Sequence, residues 1–454
     1  MSLRFSISLL LALSALPCLA DSPPLPPSPA NEASKVELPV AAAAKNAPIN
    51  TVSLADIRRF TAIYSLVKQA YVEPISDEKL MQAAIRGMLS NLDPHSEYLD
   101  RVQMETLSEE TNGIYAGLGI EVAGDEGVLR VIAPFDGTPA QRAGIRAGDV
   151  IIRIDGKPVV AAEVNGAIDQ LRGKPGTEVV LSIIREGLTK PIDVRLQREI
   201  IHIASVSGRL VEPGYGYIRI AQFQAETGSD LRKRVAQLLK ENGGPLKGAV
   251  LDLRSNPGGL VSAAVDVSDQ FLDKGTIVST RGRVDEADLR FNATPGDELK
   301  GTNLVVLIDN GSASASEIVA GALKDNHRAV LMGRRSFGKG SVQTVLPIDD
   351  DFAVKLTTAR YFTPNGSSIQ AQGITPDVEL VEEDASAGGV ESRFVISERD
   401  LPNHLVNGEE TALPASGMLP ISAKADFALG KAISRLKGMT SGGKSTAATV
   451  VPKG

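Results

Sequence analysis

Asn310-Gly-Ser-Ala-Ser-Ala-Ser-Glu-Ile-Val-Ala-Gly321 follows the apolar run Leu304-Val-Val-Leu-Ile308 and leads into a helix expected from about Ala315 to Lys324. The stretch reads as a strand end passing through a turn of small residues into a helix, and its small side chains leave room for another backbone. A serine at such a helix start gains from the positive end of the macrodipole, and the free N–H groups beside it suit an oxyanion. The same residues carry a plainer reading, because Ser314-Ala-Ser-Glu317 also matches a capping box that needs no chemistry.

The strand-helix alternation extends outward from this point. Strands are expected at Gly216–Ile220 and Gly248–Leu253, and helices from about Ser229 to Glu241 and Leu260 to Leu272. That rhythm predicts an α/β domain. Upstream, residues of about 113 to 197 alternate short β-rich runs with glycine turns and predict a small β-domain, with strands at 119–122, 129–132, 149–154, 179–184 and 192–196. Before it, apolar residues recur at helical spacing from Leu54 to Leu89, interrupted at Pro74, and predict a helical pair that serves packing or dimerisation. His95 and Asp93 in Leu92-Asp-Pro-His-Ser-Glu-Tyr-Leu99 read as a capped turn rather than an acid-base pair.

Composition bounds the rest. The chain has 454 residues, 43% hydrophobic and 23% charged, so two or three domains are expected. The net charge of −7 offers no general attraction to phosphate backbones, which argues against a nucleic-acid partner. Arg4, the apolar run Phe5 to Leu16 and Cys18-Leu-Ala20 read as a signal peptide cleaved before Asp21, the run being shorter than the roughly 20 residues of a bilayer span. Cys18 is the only cysteine, and Leu16-Pro17 does not suit a lipoprotein signal, so the mature chain is expected to lack thiols. The domain expectation is therefore 1–20 signal peptide, 21–50 Pro/Ala-rich linker, 51–108 helical region, 109–197 β-domain, 198–383 α/β core and 384–454 polar tail with one helix near Ala425 to Leu436.

Gly117-Leu-Gly-Ile120, the run Pro139-Ala-Gln-Arg-Ala-Gly-Ile-Arg-Ala-Gly-Asp-Val-Ile151 and Asp155-Gly156 together resemble a PDZ domain. In such a module, Gly117, Leu118, Gly119 and Ile120 present backbone N–H groups to a peptide's terminal carboxylate while the peptide adds a strand to the sheet edge. Downstream, Ser336-Phe-Gly-Lys-Gly-Ser-Val-Gln343 places Lys339 25 residues after Ser314.

These segments, with Leu251-Asp-Leu-Arg-Ser-Asn-Pro-Gly-Gly259, Tyr361-Phe-Thr-Pro-Asn-Gly366 and Gly373-Ile-Thr-Pro-Asp377, resemble the carboxyl-terminal processing peptidases, S41 serine peptidases with a PDZ domain, over about residues 55 to 380. The resemblance implies a ClpP/crotonase-like α/β peptidase core with an inserted β-rich PDZ domain and helical parts at both ends. It implies Ser314 as nucleophile, Lys339 as general base and Gln343 as the residue positioning the lysine. It also implies an oxyanion hole from the Ala315 N–H and one from Gly258 or Gly259, with Gly258 favoured. Lys339 must be neutral to take a proton, which requires a desolvated site. On a straight strand Lys339 and Gln343 stand roughly 13 Å apart, so a helical turn or bulge is predicted between them. Asp252 and Arg254 read as a strand-end salt bridge.

The four histidines are dispersed and no metal-binding pattern is present, so neither metal nor cofactor is expected. Gly338-Lys-Gly-Ser341 lacks the spacing of a phosphate-cradling loop, so no ATP dependence is expected. The function implied is an exported, periplasmic endopeptidase acting on protein substrates with apolar C-termini, PDZ-gated or adaptor-regulated, homo-oligomeric and open to peripheral membrane association. The competing classes are a non-catalytic PDZ scaffold or chaperone and a ligand-binding relative of the same fold.

Overall fold

The computed structural model describes residues 52–125, 128–135, 137–159, 164–380, 391–394, 396–407, 418–421 and 426–440. The expected signal peptide, the linker and much of the expected tail lie outside the described residues.

The predicted helical pair is α1 (Leu54–Ala70) and α2 (Asp77–Ser90). Each starts on a serine whose hydroxyl accepts a first-turn N–H, Ser53 from Asp56 and Ser76 from Lys79. Many of the apolar residues of α1 remain exposed, among them Leu54, Ile57, Phe60, Ile63 and Leu66. Two elements that the sequence pattern did not reveal follow, the short strand β1 (Glu97–Asp100) and helix α3 (Arg101–Asn112), capped by Asp100 and ended by Gly113 at φ 68.

The β-domain holds β2 (Ile114–Gly117), β3 (Ile120–Asp125), β4 (Val128–Pro134), the turn-length α4 (Pro139–Arg142), β5 (Val150–Ile154), β6 (Lys157–Pro158), α5 (Val164–Leu171), β7 (Glu178–Ile184), β8 (Ile192–Gln197) and β9 (Glu199–His202). Its sheet runs β3-β4-β5-β7-β8 with β6 on β5, so β3 is an edge strand, while β2 pairs antiparallel with β9 where the domain joins the rest. Its own core includes Leu118, Leu129, Val131, Ile151, Leu181 and Leu196.

The α/β core comprises β10 (Val206–Glu212), β11 (Tyr215–Ile220), α6 (Thr227–Glu241), β12 (Gly248–Asp252), α7 (Val261–Asp269), β13 (Thr276–Gly282), β14 (Arg290–Asn292), β15 (Asn303–Ile308), α8 (Ala315–Asp325), β16 (Ala329–Gly333), β17 (Ser341–Pro347), β18 (Phe352–Phe362), β19 (Val378–Glu379) and, last, α9 (Phe427–Thr440). One sheet runs β10-β11-β12-β15-β16-β19, parallel from β11 onward. Both faces of its central strands are covered, which is why β12 and β15 are almost continuously apolar. Leu251, Val306 and Ile308 face α6, α7 and α8, whereas Val250, Val305 and Leu307 face Leu429, Ala432, Ile433 and Leu436 of α9. The helix expected near Ala425 to Leu436 is thus a layer of the core, not an appendage.

A second, antiparallel sheet runs β1-β18-β13-β14 with β17 on β18. Its strands went unpredicted because they mix threonine, lysine and arginine into the apolar alternation, as in Lys355, Thr357, Thr358 and Arg360 of β18. Through it the segment before the β-domain is joined to the core, Glu97 to Asp100 pairing with Lys355 to Phe352. No helix among the described residues is long and apolar enough to cross a membrane.

Candidate active site

Ser314 caps α8 at the carboxyl end of β15, the side on which open α/β sheets place their ligands. Its backbone sits at φ 53, ψ −112, a conformation that costs a non-glycine residue energy and holds the side chain at a sharp strand-to-helix turn. The Glu317 N–H donates to the Ser314 carbonyl at 2.8 Å, and the Ser314 N–H donates to the Glu317 carboxylate at 2.8 Å.

The Asn256–Gly259 turn is clamped against this elbow. Ala313 N–H and Ser316 Oγ both donate to the Asn256 carbonyl, at 3.0 and 2.9 Å. A Cβ on Gly258, at φ 105, would lie 2.8 Å from the Ala313 carbonyl oxygen and 2.9 Å from Ser314 Cβ, so only glycine fits. The N–H of Gly258, favoured from the resemblance as an oxyanion donor, is engaged in this conformation: it donates to Asn256 Oδ1 at 2.9 Å. Gly259 abuts Phe223, whose N–H donates to the Gly258 carbonyl at 2.9 Å. Ala315 is fully buried in the first turn of α8.

Glu317 was read only as a capping partner, and the structure gives it a larger part. Fully buried, its carboxylate accepts from Ser336 Oγ at 2.6 Å, Gly338 N–H at 2.8 Å, Lys339 N–H at 2.9 Å and the Ser314 N–H. Burial pushes the carboxyl up to about 7 against the pull of these donors. All of its partners are donors, so the ionised form is the one the surroundings match.

One carboxylate therefore ties the backbone of Ser314 to the backbone of Lys339. The Lys339 ammonium is held below its usual range, by burial first and then by the nearby charge of Lys355, while Glu398, Glu317 and Asp93 oppose the shift. The predicted irregularity is a β-bulge between Val342 and Gln343 in the β17–β18 pairing. Gln343 Nε2 donates to Ser341 Oγ at 2.9 Å and to Thr357 Oγ1 at 3.2 Å. Among the described residues, no hydrogen bond joins Ser314 Oγ to Lys339 Nζ or Gln343 to the lysine. The Tyr361 phenol is buried, and its ionisation is pushed far up by burial and drawn down by the Ser314 hydroxyl.

The Asp93–Ser96 turn is the capped turn expected, Asp93 Oδ1 accepting from the N–H groups of His95 and Ser96 at 2.8 and 2.9 Å. Its side chains also reach the site. Asp93 accepts from Thr357 Oγ1 at 3.0 Å, and His95 Nε2 lies 2.8 Å from the fully buried Glu398. Glu398 accepts from Gln370 Nε2 at 3.0 Å, and Gln370 Oε1 from the N–H of Gly340, beside Lys339, at 3.0 Å. Sequence reasoning missed Glu398 and Gln370 because each is a lone polar residue whose partners lie far off in the chain. Arg254 pairs with Asp252 as expected, at 2.5 Å, and also with Asp426 at 2.6 Å.

A cavity of about 320 Å³ lies on the β-domain at Leu118–Ile120, and its walls include Phe135, Ile168, Leu171 and Arg172. Tyr115 projects into it, its ring against Gly117, where an added Cβ would meet Cε2 at 2.8 Å. Its phenol is pushed up mainly by burial and pulled down by Arg172 and by the backbone N–H groups of Gly119 and Ile120. A larger cavity of about 600 Å³ lies by Leu304 and Ala329, near the amino ends of β15 and β16; Asn365 and Asp377 of the quoted motifs line it, but Ser314, Lys339 and Gln343 do not.

Comparison with known families and proteins agrees with this layout. Residues 214–380 match the model of peptidase family S41, residues 116–196 a PDZ domain, and residues 29–103 the N-terminal domain of the activating protease CtpB. A carboxy-terminal-processing protease of Bartonella bacilliformis is 44% identical over 84% of this chain and 88% of its own length. A probable CtpA-like serine protease of Staphylococcus aureus is 37% identical over 73% of this chain and 66% of its own. Among solved structures, a photosystem II D1 C-terminal processing protease is 32% identical over 71% of this chain and 86% of its own, with a TM-score of 0.43. With these matches lying over a clamped serine elbow and an edge-strand pocket, the chain belongs to the carboxy-terminal-processing proteases, the S41 serine peptidases that carry a PDZ domain.

Proposed function

We propose that the chain is an ATP-independent endopeptidase that captures exposed, apolar C-terminal tails at its PDZ domain and cuts the protein carrying them with Ser314 and Lys339. The observation carrying this reading is the buried Glu317 carboxylate, which binds the backbone N–H groups of both residues and so fixes the turn of each relative to the other.

In the reaction, Ser314 Oγ attacks the scissile carbonyl carbon as its proton passes to the neutral Lys339 amine. The resulting oxyanion is met by the Ala315 N–H and by one from the Gly258–Gly259 turn. Collapse breaks the C–N bond, and the lysine ammonium returns the proton to the leaving amine. Water then attacks the acyl-enzyme with Lys339 again as base, freeing the new C-terminus and restoring Ser314.

We read this conformation as a resting state of the cycle: among the described residues no hydrogen bond joins Ser314 Oγ to Lys339 Nζ, and the Gly258 N–H is held by Asn256 Oδ1. Tail capture would release it by a population shift, the PDZ domain binding the active arrangement more tightly. Gln343 would swing from Ser341 and Thr357 to hold the lysine. The proposal extends to export into the periplasm, homo-oligomerisation, peripheral membrane association and response to an adaptor.

The test is incubation of the mature chain and its Ser314→Ala variant with an unstructured protein ending in apolar residues, and with the same protein ending in charged ones. Cleavage by the parent alone, faster for the apolar tail, is the expected result. Equal cleavage by both proteins removes Ser314 as nucleophile. Tail binding without cleavage by either protein returns the reading of a non-catalytic scaffold.

A further inference from the structure

The tail pocket is unusually acidic for a site that receives a carboxylate. Glu109, Glu110 and Glu121 line it against a single guanidinium, Arg172, which is already paired with Glu109 at 2.7 Å. Glu110 and Glu121 are exposed and have no ion-pair partner among the described residues.

The geometry of β3 says what each carboxylate meets. β3 pairs only with β4, so its other edge is open to an added strand, with Ile168 and Leu171 of α5 forming the opposite wall. A tail whose carboxylate lies at Leu118–Ile120, where β3 begins, must run antiparallel to it. Its last residue then stands across from Ile120 and its penultimate residue across from Glu121. Directly opposed residues share a face of the sheet, and successive residues alternate. The last side chain therefore enters the apolar cavity with Leu118 and Ile120, and the penultimate side chain lies beside Glu121. On the other flank Glu121 is paired with Ala133 of β4, which leaves its charge unanswered.

Resting on the tail-capture reading above, we infer that this site selects C-terminal tails with an apolar or small last residue preceded immediately by lysine or arginine, and that Glu121 is the specificity-determining residue. An opposite-charge pair across two strands corresponds to about a two- to fivefold preference over a neutral residue. A penultimate acid would meet like charge and bind more weakly than the neutral one.

The experiment uses the full chain with Ser314→Ala, so that binding is read without turnover, and fluorescence anisotropy with labelled peptides ending Leu-Lys-Ala, Leu-Gln-Ala and Leu-Glu-Ala. The Leu-Gln-Ala peptide is also used with its C-terminus amidated. The expected order of affinity is Lys, Gln, Glu, with steps of about two- to fivefold that shrink at high salt, vanish in Glu121→Gln and invert in Glu121→Lys. Equal affinities for the three free tails, with amidation abolishing binding, overturn the inference and leave tail capture intact. So does a preference for lysine that persists in Glu121→Gln. Failure of every tail to bind, or equal binding of the amidated peptide, overturns tail capture and the inference with it.

Discussion

Two glycine-rich turns in this molecule, Gly258–Gly259 beside Ser314 and Gly117–Ile120 on the β-domain, are held in opposite ways. At Ser314 the surroundings are closed: Glu317 is saturated by backbone and hydroxyl donors, and Asn256 braces Gly258, Ala313 and Ser316 together. At Gly117–Ile120 they are open, with an unpaired strand edge, an apolar cavity and one tyrosine lying in it. The difference follows from the two tasks. Under the proposed function, a nucleophile and its base must be held in fixed register, whereas capturing a peptide requires hydrogen-bonding groups left over for it.

The largest expected effect lies at the closed site. Lys339→Ala should lower kcat by at least about a thousandfold and add almost nothing to Ser314→Ala, because members of one catalytic unit are not additive. Single-turnover kinetics of the two single variants and the double variant check this, and an active Lys339→Ala would end the dyad.

Glu317→Gln tests whether the clamp is what closes the site. The amide keeps one acceptor and sets an NH₂ group against donors, so a loss of roughly 2–4 kcal/mol of stability and about a hundredfold in kcat are expected. Urea unfolding and kinetics at a temperature where the variant is folded separate the two. Unchanged kcat in the folded variant would show that the elbow holds itself.

The pH dependence is a gentler probe of the same site. Since Lys339 is depressed below 10.5, the ascending limb of kcat/KM should have its midpoint below that value. Between the folded and unfolded pKa values the unfolded chain binds more protons, so this group makes stability rise with pH there. That contribution is lost as pH falls through the folded pKa. Lys339→Met should flatten this part of the stability profile, as measured by denaturant midpoints across alkaline pH.

The smallest effect is expected at the open site. Tyr115→Phe removes a phenol oxygen from the cavity in which the Gly119 and Ile120 N–H groups would receive a tail carboxylate, so tails should bind about threefold tighter, with kcat at saturation unchanged. Weaker binding would instead make the Tyr115 hydroxyl a donor to the tail.

Much of this arrangement was legible in the chain itself, because it depends on local geometry. The strand-turn-helix around Ser314 and the alternation of strands and helices in the α/β core follow from periodicity and glycine placement, and the reach of an extended segment called for an irregularity between Lys339 and Gln343, where the bulge lies, although it does not bring Gln343 to the lysine. The PDZ and peptidase motifs were readable for the same reason, since each is a run of contiguous residues.

What only the tertiary structure decided are the pairings between distant residues. Tyr98 on β1 and Val354 on β18, His95 and Glu398, Gln370 and Gly340, and α9 against β12 and β15 meet only when the chain closes long loops. Glu317 shows both levels at once. Its place in a capping box was plain from Ser314-Ala-Ser-Glu317, but its bonds to Gly338 and Lys339 arise because folding brings a second turn within reach of the same buried carboxylate, and a buried carboxylate needs every donor it can find.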